Sequence, residues 1–383
     1  MSKEIKSFST IFDEPEAFLD AQSSVSLRIA SANKTAAKAF HQVNQVQDFS
    51  DNSRAFKTGF LEDGGLISAE SLTKAGATPK VAILLCTYNG CQYLPEQLDS
   101  FAAQSHDNWE VWVSDDGSKD GIHQTFESYK HKWSAGRISI RSGPCKGFST
   151  NFVSVMCSTD SDADYYALSD QDDIWEAHKL ERAVKWLESV PPEIPALYCS
   201  RTRLIDAGGK YIGFSPLFTK PASFANALTQ NIAGGNTMIF NRALRESLKE
   251  AGENLPVIAH DWWVYLLVTG VGGQVFYDTH PTVNYRQHNG NLIGMKASWP
   301  ARFNRIRMMW KGCYRNWNDA NIASLRLIQD RLTPGNQKIF ERFVQARNMP
   351  LIPRLINFKR SGIYRQTFLS NLGLIVAAIF NKL

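Results

Sequence analysis

Asp170, Asp172 and Asp173 place three carboxylates within four positions, in SDQDD (169–173). The apolar run YYAL (165–168) leads into them, and Ile174 and Trp175 follow at once. Without a cation, such a cluster would raise its own pKa values by mutual repulsion. Two carboxylates at i and i+2 of a turning chain can meet one hard cation. Magnesium commonly takes one or two protein carboxylates and leaves its other positions to water and phosphate oxygens. The competing reading is a helix N-terminus with Asp173 capping IWEAHKL, which explains one aspartate and not three.

A second acidic pair, Asp115 and Asp116, lies in VSDDGSKD (113–120). Adjacent aspartates closing a buried strand are costly unless they find donors. Asp115 suits the imide N–H of uracil or thymine. Asp116 suits a ribose hydroxyl or a backbone turn, and an Asx-turn ahead of a helix capped by Ser118 competes with both. CTYNG (86–90) offers Asn89 and Gly90 for a tight turn. Further along, GGNTMIFNR (234–242) joins two glycines and an Asn to a short strand. HDWWVYLL (260–267) sets Asp261 before a helix-like aromatic run, and YRQHNGNLIG (285–294) carries Arg286 and His288. Each of these also has a purely structural reading: a turn, a helix cap, a surface ion pair, a hydrogen-bonded core histidine.

The elements that must position these residues follow from periodicity. VAILLC (81–86), WEVWVS (109–114), RISI (137–140) and YYAL (165–168) read as strands. In the second, Trp109, Val111 and Val113 share one face, with Glu110 and Trp112 on the other. CQYLPEQLDSFAAQ (91–104) and HKLERAVKWLESV (178–190) read as helices, the latter with Leu180, Ala183, Val184 and Leu187 on one face. Strands alternating with helices predict a largely parallel α/β sheet. Ligands of such sheets bind beyond the carboxyl ends of the strands, where CTYNG, SDDGS and SDQDD all fall.

The 383 residues, 43% hydrophobic and 21% charged, describe a soluble globular protein of one large or two ordinary domains. No signal peptide is visible, and the apolar run Leu372–Phe380 is shorter than the roughly 20 residues of a bilayer span. The six cysteines lack zinc-type spacing and read as free thiols of a reducing, cytoplasmic setting. The net charge of +5 is uneven: residues 301–383 hold 15 Lys+Arg against 3 Asp+Glu. Three parts are expected: a polar extension (1–78), a catalytic domain (79–298) and a basic, aromatic-rich helical region (299–383). RFNRIRMMWKGCYRNW (302–317) and MPLIPRLINFKRSGIYRQTF (349–368) mix basic and apolar residues, which suits anionic lipid or a helical cap with a solvated basic face.

CTYNGCQYLPEQLDS, VSDDGSKD, GPCKGFSTNF, SDQDDIW, GGNTMIFNR, HDWW and YRQHNGN, in this order, resemble the inverting family 2 glycosyltransferases, nearest to bacterial rhamnosyltransferases of polysaccharide and O-antigen assembly. The resemblance spans about 81–294. It implies a GT-A type, Rossmann-like α/β fold with a mostly parallel central sheet, here followed by the basic C-terminal helical region. It implies a nucleotide-sugar donor held by Thr87, Tyr88, Asn89, Asp115, Asp116, Lys146, Gly147, Asp170 and Gln171. Asp170 and Asp172 would form the DxD motif. Asp172 and His288 would hold a divalent cation, Mg2+ or Mn2+. Asp261 falls at the position of the family's catalytic base, and Gly235, Asn236, Trp262 and Arg286 in the acceptor or diphosphate region. Cys91 departs from the acidic or polar residue usual after the NG turn. The donor expected is dTDP-rhamnose, and the acceptor a saccharide or polyprenyl-linked saccharide near an anionic membrane surface, with no nucleic acid partner. A UDP-sugar transferase is the alternative. A nucleotidyltransferase should carry a basic Gly-rich loop after its first strand, which CTYNGCQYL lacks. A non-catalytic carbohydrate-binding protein would not need Asp170, Asp172 and Asp261 together.

Overall fold

The computed structural model describes residues 78–288 and 311–383, with Arg307 between them. The extension expected at 1–78 (Thr78 aside) and most of 302–310 lie outside the described residues.

The first strand, β1 (Val81–Thr87), is buried along its whole length. Its continuous apolar run is what a strand covered on both faces requires. It pairs in parallel with β2 (Trp109–Asp115) and with β4 (Tyr165–Ser169), and β3 (Ile138–Ser142) adds outside β2. The crossovers are α1 (Leu94–Ala102), α2 (Ile122–Lys132) and α3 (Phe148–Ser158). The alternation expected in β2 is observed. Trp109, Val111 and Val113 join Ile83 and Leu85 against α1 and α2, while Trp112 turns to the opposite core with Leu84 and α3.

Beyond β4 the direction of pairing changes. β5 (Ile174–Trp175) and α4 (Lys179–Leu187) precede β6 (Ala196–Asp206), and β7 (Tyr211–Phe214) hangs on β6 as an extra antiparallel strand. A short helix, α5 (Phe224–Ala227), leads to the 3-10 turn Gly235–Thr237, then to β8 (Ile239–Asn241) and α6 (Arg242–Ala251). The buried helix α7 (His260–Gly270) and the long strand β9 (Gln274–Gln287) follow. Among the described residues the sheet runs β3-β2-β1-β4-β8-β6-β9-β5, with β7 off this path. It is a mixed sheet whose longest ladders, β1–β2 and β6–β9, are parallel, while β8 pairs antiparallel with both neighbours.

The basic region forms α8 (Cys313–Leu327), α9 (Pro334–Ala346), α10 (Leu351–Ser361) and α11 (Phe368–Ile379). Its apolar residues do not close on themselves. Leu325, Leu332, Phe340 and Phe343 share one cluster with Trp263, Leu266 and Leu267 of α7. Asn336 donates to the carbonyls of Thr269 and Gly270 at 2.9 Å, satisfying the last turn of α7. The charge boundary near residue 300 is therefore not a boundary of the core.

Candidate active site

Parallel pairing brings three loops to one sheet edge, since Thr87 stands beside Asp115 and Leu85 beside Ser169. The first two loops are stitched together. Thr87 Oγ1 donates to Asp115 Oδ1 at 2.9 Å, and the Ser118 N–H donates to Oδ2 at 3.0 Å. Asn89, at φ 49°, gives its N–H to Ser118 Oγ and accepts the Lys119 N–H. Asp115, Lys119, His123, Arg141 and Cys145 border a cavity of about 330 Å³. Asp116 takes the backbone-turn option: its oxygens accept the N–H groups of Cys145 (2.6 Å) and Gly147 (2.8 Å). It thus pins both flanks of the exposed Lys146. Gln171 clasps the Tyr88 backbone, accepting its N–H at 2.8 Å and donating to its carbonyl at 3.0 Å. That approach needs Gly90, where a Cβ would stand 2.0 Å from Gln171 Cδ.

The SDQDD loop is bent, and its carboxylates divide. Asp172 Oδ2 lies 2.8 Å from His288 Nε2. Asp173 is fully buried and is no helix cap, correcting that expectation. Ile174 and Trp175 pair with β9 as β5, and the helix starts only at Lys179. The short apolar pair IW is drawn into the sheet, and Asp173 accepts from Asn236 Nδ2 at 2.5 Å and the Arg286 N–H at 3.0 Å. Burial raises the Asp173 carboxyl, and the Asp172 charge adds to it. Asp170 is held well above the usual carboxylate range by burial first, then by Asp173, Asp172 and Asp261. Lys179, also fully buried, opposes this charge. Its Nζ donates to the Asn236 carbonyl at 2.7 Å and lies 3.2 Å from the centre of the Trp175 ring. Burial drives its pKa well down while Asp173 and Asp170 pull it up.

Among the described residues no group of three or more His, Cys, Asp or Glu is arranged to hold a metal ion. Asp172 and His288 form a pair, which fits a cation that draws its other ligands from phosphate and water. The crowding of carboxylates that raises Asp170 fits it too, since a cation would relieve it. Arg286 departs from the expected diphosphate contact. It is 1% exposed, its guanidinium donates to the Asp172 and Ala207 carbonyls and to Glu96, and it lies over the Tyr93 ring. It braces the acidic loop from behind.

Asp261 stands in the first turn of α7 and is half-buried. It accepts the Trp262 N–H at 2.7 Å, the Gly235 N–H and the Asn231 side chain. These donors favour the anion, yet desolvation outweighs them and pushes the carboxyl up to about 6. Trp262 departs from the expected acceptor contact: it is turned into the core, where its indole N–H donates to the Ala227 carbonyl at 2.7 Å. His260 stacks on Phe152 at 3.9 Å, and neither ring nitrogen finds a hydrogen-bond partner among the described residues. Burial keeps it neutral, its pKa lowered to about 3. Gly235 must be small here, because a Cβ would lie 2.3 Å from His260 Nε2. Consecutive residues therefore serve both carboxylate groups: Gly235 holds Asp261, and Asn236 holds Asp173.

Sequence reasoning did not single out Lys179, Asn231, Glu96 or His260. Lys179 left a trace as a lysine one position before the apolar face of a helix, while His260 and Glu96 lay unremarked inside HDWW and CTYNGCQYLPEQLDS.

The family model described as glycosyl transferase family 2 matches residues 82–248. The dTDP-rhamnosyl transferase RfbG of Shigella flexneri is 27% identical over 240 residues, covering 60% of this chain and 81% of that protein. An uncharacterised glycosyltransferase of Rickettsia typhi is 25% identical, over 61% of this chain and 71% of its own length. Three mycobacterial proteins match at 26% identity, and the matched stretch spans 64% of their length. Among solved structures, the mannosyltransferase PcManGT from Pyrobaculum calidifontis, in complex with GDP-Man and Mn2+, is 17% identical with a TM-score of 0.43, covering 80% of this chain and 88% of that one. TarS 1–349 of S. aureus with UDP-GlcNAc is 15% identical with a TM-score of 0.45, over 74% and 93%. The chain carries a family 2 glycosyltransferase domain. It is a glycosyltransferase, with a C-terminal helical region packed against that domain.

Proposed function

We propose that the chain transfers an L-rhamnosyl group from dTDP-rhamnose, with inversion, to a hydroxyl of a saccharide or polyprenyl-linked saccharide in cell-surface polysaccharide assembly. The observation that carries the reaction type is Asp261. It is a carboxyl raised to about 6, close enough to Asp170 to push that carboxyl up as well, at the edge where the three loops meet. The donor identity is supported by the similarity to RfbG.

In this reading Asp115 and the cavity beside it receive the base, and Lys146 faces the diphosphate. Asp172 and His288 hold a divalent cation, Mg2+ or Mn2+, which when bound supplies a Lewis acid to the departing nucleoside diphosphate. Asp261 takes the proton from the acceptor hydroxyl. The hydroxyl oxygen bonds to the anomeric carbon as the carbon–oxygen bond to the diphosphate breaks, on opposite faces of the sugar. Gln171 and Arg286 keep the loops in place without touching substrate. The tail's mixed basic and apolar residues support work beside an anionic bilayer.

The test is donor hydrolysis and transfer over a panel of nucleotide sugars. Turnover of dTDP-rhamnose at least about tenfold above any UDP-sugar supports the assignment. Preference for a UDP-sugar moves the donor and leaves the reaction class intact, while the absence of turnover with every donor rejects the reading.

A further inference from the structure

We propose that α11, together with the exposed basic end of α10, is a docking surface for an anionic lipid bilayer. Phe368, Leu369, Leu372, Ile375 and Ile379 are all exposed, Phe368 at 81%. Four of them recur at i, i+4, i+7 and i+11, so they form one stripe along the helix. The other side of α11 is seated on the core through Leu374, Ala377 and Ala378. The stripe is therefore the outer face of a helix that is already packed. Within Phe368–Ile379 there is no charged residue. A contiguous apolar face of this kind on a protein surface marks an interaction site.

Charge and length select the occupant. No Asp or Glu follows Glu341, whereas seven Lys and Arg do. Lys359 and Arg360 are exposed at the last turn of α10, and Ile352 and Ile356 are exposed on the same helix. A second copy would bring the same positive charge to the same face, and repulsion opposes that pairing. Anionic headgroups complement the lysine and arginine while acyl chains accept the stripe. At 12 residues α11 is about 18 Å long, short of the roughly 30 Å hydrocarbon core, so it lies along the surface.

The stripe also begins next to the candidate active site. In the segment that leads into Phe368, Arg365 Nε donates to the Thr229 carbonyl at 2.9 Å. The Gln366 N–H donates to Gln230 at 2.8 Å. The next residue, Asn231, is the hydrogen-bond partner of Asp261. A bilayer met by α11 would thus lie beside the strand of chain that carries that partner. This last step rests on the proposed role of Asp261, but the docking surface itself does not.

The full chain is sedimented with vesicles of phosphatidylcholine, or of phosphatidylcholine mixed with phosphatidylglycerol, at low and high salt. The wild type is expected to bind the mixed vesicles at least about tenfold more tightly than the neutral ones, and less tightly in salt. Leu372→Ser with Ile375→Ser should lose that binding by about tenfold or more. Lys359→Glu with Arg360→Glu should lose the preference for the mixed vesicles. Both double variants should keep their circular dichroism and any donor hydrolysis, which separates lost docking from lost folding or activity. Wild type that stays free of mixed vesicles at low salt overturns the proposal, as does the serine variant binding like wild type. A wild-type dimer that the serine substitutions dissolve, with no vesicle binding, assigns the face to a second copy and equally overturns it.

Discussion

Asp261 stands between two opposing influences. A helix N-terminus and three donors hold it as an anion, and burial raises its carboxyl to about 6. Under the proposed mechanism, kcat/KM falls as pH drops through about 6, because the base must be deprotonated. Asp261→Asn should lower kcat by about 10²–10⁴-fold and remove that dependence, with donor affinity unchanged. Unaltered turnover would take Asp261 out of the chemistry. The same shift has a stability sign. The folded pKa exceeds the unfolded value, so ionised Asp261 destabilises the fold at pH 8 by on the order of 1–3 kcal/mol, and this cost vanishes below about pH 4. Asp261→Asn should therefore melt higher than wild type at pH 8, with the gain shrinking toward pH 4 in thermal scans. At the other cluster, Asp172→Ala should abolish the gain in nucleoside diphosphate affinity that Mn2+ gives in calorimetry. The same affinity gain in the variant would remove Asp172 from the metal site. Asp261 and the SDQDD aspartates were legible because their types are costly where they fall. Lys179, His260 and Asn231 were not, since each matters through neighbours distant in sequence, Asn236, Phe152 and Asp261 respectively.

At the level of elements, apolar runs ending in polar loops were enough to find β1, β2 and β4, and parallel pairing did the rest. The second half of the sheet was hidden. β6 and β9 interleave polar residues with apolar ones, and Pro281 interrupts β9 where the ladder shifts register between Ser200 and Thr202. A proline inside a run argues against a strand unless a bulge accommodates it. IW of β5 was read as a helix start because two residues show no period. The loops depend on close backbone approach as much as on side-chain type. Gly90→Ala should force Gln171 off the Tyr88 backbone, breaking two hydrogen bonds. A rise in donor KM of about tenfold, with kcat changed less, is expected in steady-state assays. An unchanged KM would mean that the clasp does not shape the donor site.

Across the whole molecule, composition and packing divide the chain differently. Charge separates residues 301–383 from the rest, yet their apolar side chains complete the core around α7. Cutting the chain after residue 298 would bare the surfaces that Leu332, Phe340 and Phe343 now cover, each worth roughly 1.5–3 kcal/mol of burial. The truncated chain should be largely insoluble, or melt well below the full chain by scanning fluorimetry. A soluble fragment of equal melting temperature would show that the helical region is a separable unit.

The turn at Gly235 and Asn236 acts as a ruler. One peptide unit sets the spacing between the group that holds Asp261 and the group that holds Asp173. Lengthening or shortening that turn by a single residue would change the span between Asp261 and Asp173, and with it, under the proposed mechanism, the reach of the base toward the acidic loop. If the cavity near Cys145 receives the donor as proposed, attempts to redesign the donor should vary its rim and leave this turn at its present length.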